Sequence, residues 1–263
     1  MKPFLDLPRP WLVAHRGGAA LAPENTMAAF DGAVARGADW LELDVRLTRD
    51  GALVVFHDPD TLRITGAPGA VESRTFAELQ ALDAGHGFTP DGGRTFPFRG
   101  RGLRVPALTD LLARHPRTRL NIDAKSRDPA LAETLAAEVR RAGAERRVCL
   151  GSELDAQARR IRRLLPEACH FLPGGAATRH VLAAKLGLGR LLGGGWDCAE
   201  IPLRARGMRV ATRRVVRHLK SMGMRVLVWT VDDEAEMRAL LALDVDGIMT
   251  DRPDLLARVL GRA

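Results

Sequence analysis

The chain contains no tyrosine, and aromatic residues make up only 5% of its 263 positions. A surface for nucleic acid interleaves basic residues with aromatic platforms, so no nucleic-acid partner is expected despite a formal net charge of +8. Lysine is scarce too: Lys2, Lys125, Lys185 and Lys220 are the only four among 40 basic residues. Many of the arginines fall in helical runs such as AEVRRAGAERR and ARRIRRLLPE, whose plain reading is a solvated helix face. The three cysteines, Cys149, Cys169 and Cys198, are widely separated and odd in number, with no metal-ligand spacing among them. Free thiols in a reducing compartment are the expectation. No stretch approaches the roughly 18 uninterrupted apolar residues of a membrane span. The first residues, MKPFLDLPRPW, lack the continuous apolar segment of a secretory leader. A soluble, cytoplasmic protein without stable membrane insertion is expected, its oligomeric state left open.

What is present is regular alternation. Apolar residues reach 46%, enough for a full core. Trp11–His15 reads as a short buried strand, MAAFDGAVARG as a helix behind the polar cap candidates of PENT, and Trp40–Val45 as a second strand. Asp50-Gly51 between two apolar runs signals a hairpin into Ala52–His57. From residue 59 to about 104 the periodicity fades into Gly, Pro, Thr and Asp, relieved by one helical phrase, TFAELQALDAG. A segment this long inside a compact fold is usually functional, and an insertion over the mouth of a barrel is expected. Strand and helix then alternate to the end of the chain. The series predicts an α/β fold, a (β/α)8 TIM barrel of a single domain with a small insertion after strand 2.

In such barrels reacting groups gather at the C-terminal strand ends. Strand 1 delivers His15 and Arg16, strand 2 Glu42 and Asp44, its hairpin His57, and strand 3 Asp123 and Lys125. Later strands add Ser152, Glu200 and Trp229. Residues two apart on a strand face the same side, so Glu42 and Asp44 point inward together. Three enclosed carboxylates repel and drift toward protonation unless a cation compensates them. Oxygen-only ligation by Glu42, Asp44 and Asp123 suits one divalent cation, Mg2+ or Ca2+, better than zinc. His15 and His57 bracket that cluster as a general acid and a general base. Arg16 and Lys125 add positive charge, although Arg16 could instead bridge to Glu24. Together these groups fit a phosphate diester.

The order HRGG, PENT, GADWLELDV, LTRDGALVVFHD, LDAG, PFRGRG, NIDAK and VWTVDDEAEMRALLALDVDGIMTDRPDLL resembles the glycerophosphodiester phosphodiesterase family over nearly the whole chain. The resemblance implies metal-dependent hydrolysis of glycerophosphodiesters to glycerol 3-phosphate and an alcohol. By matching position it implies His15 and His57 as the acid–base pair, Glu42, Asp44 and Asp123 on the metal, and Arg16 and Lys125 on the phosphate. Trp229 would form an apolar wall for the glycerol carbons. The chain departs from the family's pattern at three places: Asp123 where Glu is usual, Glu153 after Ser152 where Phe is frequent, and Glu200 where an amide is common. Extra carboxylates at the mouth, Glu200 among them, would favour a cationic alcohol such as choline or ethanolamine. Alternatives are a phospholipase D-like enzyme acting on lysophospholipids, with Phe88, Phe96 and Phe98 meeting an acyl chain, and a non-catalytic phosphodiester-binding barrel.

Overall fold

A computed structural model describes residues 2–189 and 192–262. Its β-strands are β1 (Trp11–Ala14), β2 (Trp40–Leu47), β3 (Leu53–Val55), β4 (Arg119–Ala124), β5 (Val148–Gly151), β6 (Cys169–His170), β7 (Cys198–Pro202), β8 (Arg204–Ala205), β9 (Met208–Arg209), β10 (Arg225–Trp229) and β11 (Gly247–Thr250). Eight of these run parallel in the order β6-β5-β4-β2-β1-β11-β10-β7. A single parallel bridge from Phe171 to Cys198 joins the two ends of that series and completes the ring. The first strand pairs with the last, Trp11 opposite Gly247 and Ala14 opposite Thr250. The expected eight-stranded α/β barrel is therefore the observed architecture.

Helices wrap the outside: α1 (Met27–Ala35), α2 (Leu62–Thr65), α3 (Phe76–Gln80), α4 (Leu108–Arg114), α5 (Ala130–Arg141), α6 (Asp155–Leu164), α7 (Gly174–Leu186), α8 (Arg213–Ser221), α9 (Glu234–Leu241) and α10 (Pro253–Val259). Local chemistry sets several of their starts. The Thr26 hydroxyl accepts from Ala29 N, Thr212 from Val215 N and the Asp233 carboxylate from Glu236 N, each satisfying an otherwise orphaned donor. Thr75 and Glu78 form a reciprocal capping box on α3. Along α5, Leu131, Leu135 and Val139 face inward while Arg140 and Arg141 close its last turn, where positive charge complements the helix dipole. None of the described helices is long and apolar enough to cross a membrane.

The interior is divided. A floor of Phe4, Trp11, Trp40, Leu227 and Met249 fills the N-terminal end of the barrel. Trp40 lies 4.6 Å from Trp11 and 4.4 Å from Phe4, ring centre to ring centre, and each such contact contributes about 0.5–1.5 kcal/mol beyond area burial. Phe4 arrives on a 3-10 turn, Pro3–Leu5, which plugs the floor and carries no periodic signal in the sequence. The same floor holds the sulfurs of all three cysteines. They are free and buried, and they meet although their sequence spacing shows no ligand pattern. Their sulfurs lie within 4.8 Å of one another, because ring closure brings together three strands that are far apart in the chain.

Antiparallel β3 pairs with the outer half of β2, Val45 opposite Val55, as the Asp-Gly hairpin foretold. Beyond it, α2 and α3 lie in the inserted segment, which buries Val71, Leu79, Ala84 and Val105 against Val54 and Phe56. Strand β6 spans Cys169–His170, where the sequence pattern suggests His170–Leu172. The small hairpin β8–β9 follows β7 and was not foreseen.

Candidate active site

β2 is enclosed along its whole length, and that is the unusual feature from which the site is built. Its inward positions carry Glu42 and Asp44 where an apolar strand would carry valine or leucine. In register with it, β4 sets Asn121 opposite Glu42 and Asp123 opposite Asp44. Four polar side chains thus enter the upper barrel as two layers, one pair above the other.

The lower layer is the more deeply compromised. Burial first, and the neighbouring Asp44 charge second, push Glu42 up to about 7. Across the barrel, Asn121 Nδ2 donates to Glu200 Oε1 at 2.7 Å. Burial, with negative neighbours Glu42 and Asp123 adding to it, drives the Glu200 carboxyl well above its usual range. Burial thus favours the neutral form of Glu200, which weakens its electrostatic pull on a cationic head group. Asn121 Oδ1 is buried without a partner.

In the upper layer Asp44 behaves differently from its neighbours. Burial opposes its charge most strongly, yet Lys125, Arg16, His57 and Asn25 together hold it below the usual carboxylate range. Lys125 Nζ stands 3.2 Å from Asp44 Oδ1 and 2.6 Å from Asp123 Oδ2. Asn25 Nδ2 donates to Asp44 Oδ2 at 3.0 Å. Asp123 is less well compensated: burial and the Asp44 charge push it up to about 6 against the pull of Lys125. Its Oδ1 is buried with no partner.

His15 opens a tight turn directly after β1. Its Nδ1 meets Asp251 Oδ1 at 2.7 Å, and its Nε2 lies 3.9 Å from Glu42 Oε2. Burial alone would lower its pKa, but Glu42 and Asp251 outweigh it and the imidazole is held above its ordinary value. Arg16 takes a left-handed backbone conformation at φ 49°, which aims its amide at Glu42 Oε2, 2.9 Å away. Its guanidinium bonds Glu24 at 2.9 Å and lies 3.2 Å from Asp44. The bridge to Glu24 weighed from the sequence is thus present, and Arg16 reaches the carboxylate cluster as well. Gly17, at φ +84°, lets this turn press on α1: a Cβ there would come within 2.7 Å of the Ala29 Cβ.

His57 follows β3. Its carbonyl accepts from Arg46 Nε at 2.8 Å and its Nδ1 meets Asp58 Oδ1 at 2.7 Å. Asp58 is fastened in turn by Arg63 from α2, Nε to Oδ2 at 2.6 Å. Burial opposes the Asp58 charge, but Arg63 and His57 prevail and bring it down to about 2. Arg63 also grips both oxygens of Glu24, at 2.7 and 2.8 Å. The inserted segment is thereby tied to both histidine-bearing loops. Trp229, at the C-terminal end of β10, remains 37% exposed.

The residues singled out from the sequence lie on the barrel strands or in the loops that continue their C-terminal ends. Three further residues were missed as site components: Asp251, Asn25 and Asp58. Asn25 and Asp58 sit inside the quoted PENT and VVFHD motifs, and Asp251 inside TDRPD, so the signal was the motif itself. Ser152, noted at a strand end, is occupied structurally: its hydroxyl donates to Ala124 O at 2.6 Å and accepts from Leu154 N. Phe88 and Phe98 pack edge to face at 5.3 Å and Phe96 lies under the Arg99 guanidinium. Contacts among neighbours thus account for all three.

The donor set of Glu42, Asp44 and Asp123 fits a hard cation. It is all oxygen, burial and the Asp44 charge raise two of its members, and Asp123 Oδ1 is orphaned. The Lys125 ammonium is the positive charge between Asp44 and Asp123.

Residues 15–255 match the glycerophosphoryl diester phosphodiesterase family. The chain is 35% identical over 256 residues to "Probable glycerophosphodiester phosphodiesterase 2" of Mycobacterium tuberculosis, covering 94% of this chain and 89% of that one. It is 32% identical over 258 residues to a glycerophosphodiester phosphodiesterase of Caldanaerobacter subterraneus, covering 95% and 97% respectively. Among solved structures, the glycerophosphodiester phosphodiesterase of Agrobacterium tumefaciens superposes with a TM-score of 0.75 at 31% identity, over 95% of this chain and 100% of that one. An eight-stranded α/β barrel, two carboxylate-anchored histidines over an acidic interior, and these likenesses across nearly the full chain lead to one conclusion: the protein belongs to the glycerophosphoryl diester phosphodiesterase family and is a phosphodiester hydrolase.

Proposed function

We propose that the barrel mouth hydrolyses glycerophosphodiesters to glycerol 3-phosphate and an alcohol, with His15 and His57 as its two proton carriers. The observation that carries this reading is the matched anchoring of the two imidazoles. Each gives Nδ1 to a carboxylate, His15 to Asp251 and His57 to Asp58. That leaves Nε2 for proton transfer and fixes ring and tautomer together.

Glu42, Asp44 and Asp123 would hold one divalent cation, Mg2+ or Ca2+. When bound, such an ion stabilises charge on the phosphoryl oxygens. Arg16 and Lys125 add fixed positive charge beside the phosphate, and Trp229 offers an apolar wall to the glycerol carbons. One histidine takes the proton from the substrate's own 2-hydroxyl as that oxygen attacks phosphorus. The other gives a proton to the departing alcohol oxygen as its bond to phosphorus breaks. Water then opens the cyclic phosphate, and the proton roles reverse. The small molecule is the only partner this chemistry requires.

Release of glycerol 3-phosphate from glycerophosphocholine in Mg2+ or Ca2+ tests the reading. Release should stop with EDTA and fall sharply in His15→Ala. Turnover untouched by EDTA would remove the cation from the scheme. Cleavage of lysophosphatidylcholine alone would favour the phospholipase D-like alternative. A substrate lacking the free 2-hydroxyl should survive, and its rapid cleavage would exclude the internal nucleophile.

A further inference from the structure

Every cysteine in the chain ends at one point in the barrel floor. Cys149 lies on β5, Cys169 on β6 and Cys198 on β7, and all three are buried. Cys149 and Cys169 are register partners across the β5–β6 ladder. The Cys169 and Cys198 sulfurs stand 3.8 Å apart, and all three lie within 4.8 Å of one another. Cysteine often serves as a small apolar filler, but filling does not require three sulfurs to converge. A metal does. Bonds of about 2.3 Å to sulfur place the sulfurs of one coordination sphere roughly 3.8–4.0 Å apart.

The position adds a second, independent reason. The β6–β7 junction is the weakest seam of the ring: β6 has only two residues, and no ladder joins it to β7. One isolated bridge, Phe171 to Cys198, and the backbone bonds Leu172 N to Cys198 O (2.8 Å) and Asp197 N to His170 O (3.0 Å) span the gap. The thiols sit across this seam, one from each of the three strands that meet there. We propose that Cys149, Cys169 and Cys198 form a binding site for a thiophilic d10 cation of the Zn2+ and Cd2+ class, which staples β5, β6 and β7 where main-chain pairing is thinnest.

Soft thiolate donors select such ions over the hard cations suited to the mouth, so the two sites do not compete. Phe4 and Leu5 cover the floor, so loading is expected as the barrel closes during synthesis.

The test uses Cd2+ as probe. Intact protein is produced in Cd2+-supplemented medium and purified under a non-thiol reductant, and metal content, thiolate-to-metal charge-transfer absorption and Tm are measured. The expected result is one thiolate-bound Cd2+ per chain and a Tm above that of protein made without the ion. Cys169→Ser and Cys149→Ala should each abolish the absorption and the Tm gain while leaving glycerophosphodiester cleavage in place. The second variant keeps an apolar floor should a buried serine prevent folding. Absence of charge-transfer absorption from the wild type, or its persistence in Cys149→Ala, would overturn the proposal.

Discussion

Asp251 Oδ1 and His15 Nδ1, 2.7 Å apart, join the end of the last barrel strand to the end of the first. The Asp251 amide donates to Asp232 Oδ1 at 2.7 Å, and the Thr250 hydroxyl donates to the same oxygen at 2.8 Å. The imidazole is therefore held by a carboxylate whose own backbone is fixed. Asp251 contributes to raising the His15 pKa, so its removal has a signed consequence. In Asp251→Asn the limb of the pH–rate profile governed by His15 should move toward lower pH. Movement of the acid limb would mark His15 as the base, and movement of the alkaline limb would mark it as the acid. A lower kcat with both limbs unmoved would deny Asp251 any electrostatic part.

Removing either imidazole should cost far more. His15→Ala and His57→Ala are each expected to lower kcat by about 10²–10⁴. Tm should change little, since both rings lie at the mouth and outside the core. Steady-state rates beside thermal melts check this. A mutant retaining more than a tenth of wild-type kcat would have lost no proton carrier.

Cation affinity should rise with pH. Glu42 is held up to about 7 and Asp123 up to about 6, and both must lose a proton to bind a metal. Their folded pKa values lie above the unfolded ones, so the apo protein favours the protonated forms and loses that stabilisation as pH rises through about 6 and 7. A bound ion reverses the loss by compensating the ionised forms. The Tm gain from Mg2+ or Ca2+ should thus be larger near pH 8 than near pH 5, and should shrink in Asp123→Asn. An equal gain at both pH values would place the ion on other ligands.

Gly17→Ala strains the turn that aims Arg16. The position lies at φ +84° and the new methyl would meet Ala29 and Phe30 at 3.0 Å or less. A loss of about 1–3 kcal/mol in urea unfolding is expected, accompanied by a drop in activity. Unchanged stability would mean that the turn relaxes freely.

Trp229→Ala should raise KM and leave kcat nearly intact, as expected when a contact is equal in ground and transition states. Substrate-concentration series on glycerophosphocholine read this directly, and a kcat effect with constant KM would reassign the ring to the reacting centre.

The barrel was legible because each strand is a short apolar run followed by a helix with a polar start and a buried stripe. Glu42 and Asp44 announced themselves by interrupting such a run, as did Asp123 and Lys125. Contacts that depend on closure were not legible. Asp251 reads as an ordinary loop aspartate until β11 docks against β1, and Cys149, Cys169 and Cys198 read as strangers until β5, β6 and β7 meet. The burial that pushes the Glu200 carboxyl up is invisible in sequence. The Pro3–Leu5 plug escaped notice because three residues carry no period.

The pairing of β1 with β11 also sets a clock for synthesis. His15 is synthesised 236 residues before Asp251. A nascent chain can assemble the histidine of the first strand, the acidic face of the second and the ammonium after the fourth, and still lack the carboxylate that aligns the first imidazole. Partly made chains should bind little and cleave less. Hydrolytic competence would then arrive as a single late event, when the final strand slots between its neighbours and the molecule becomes a ring.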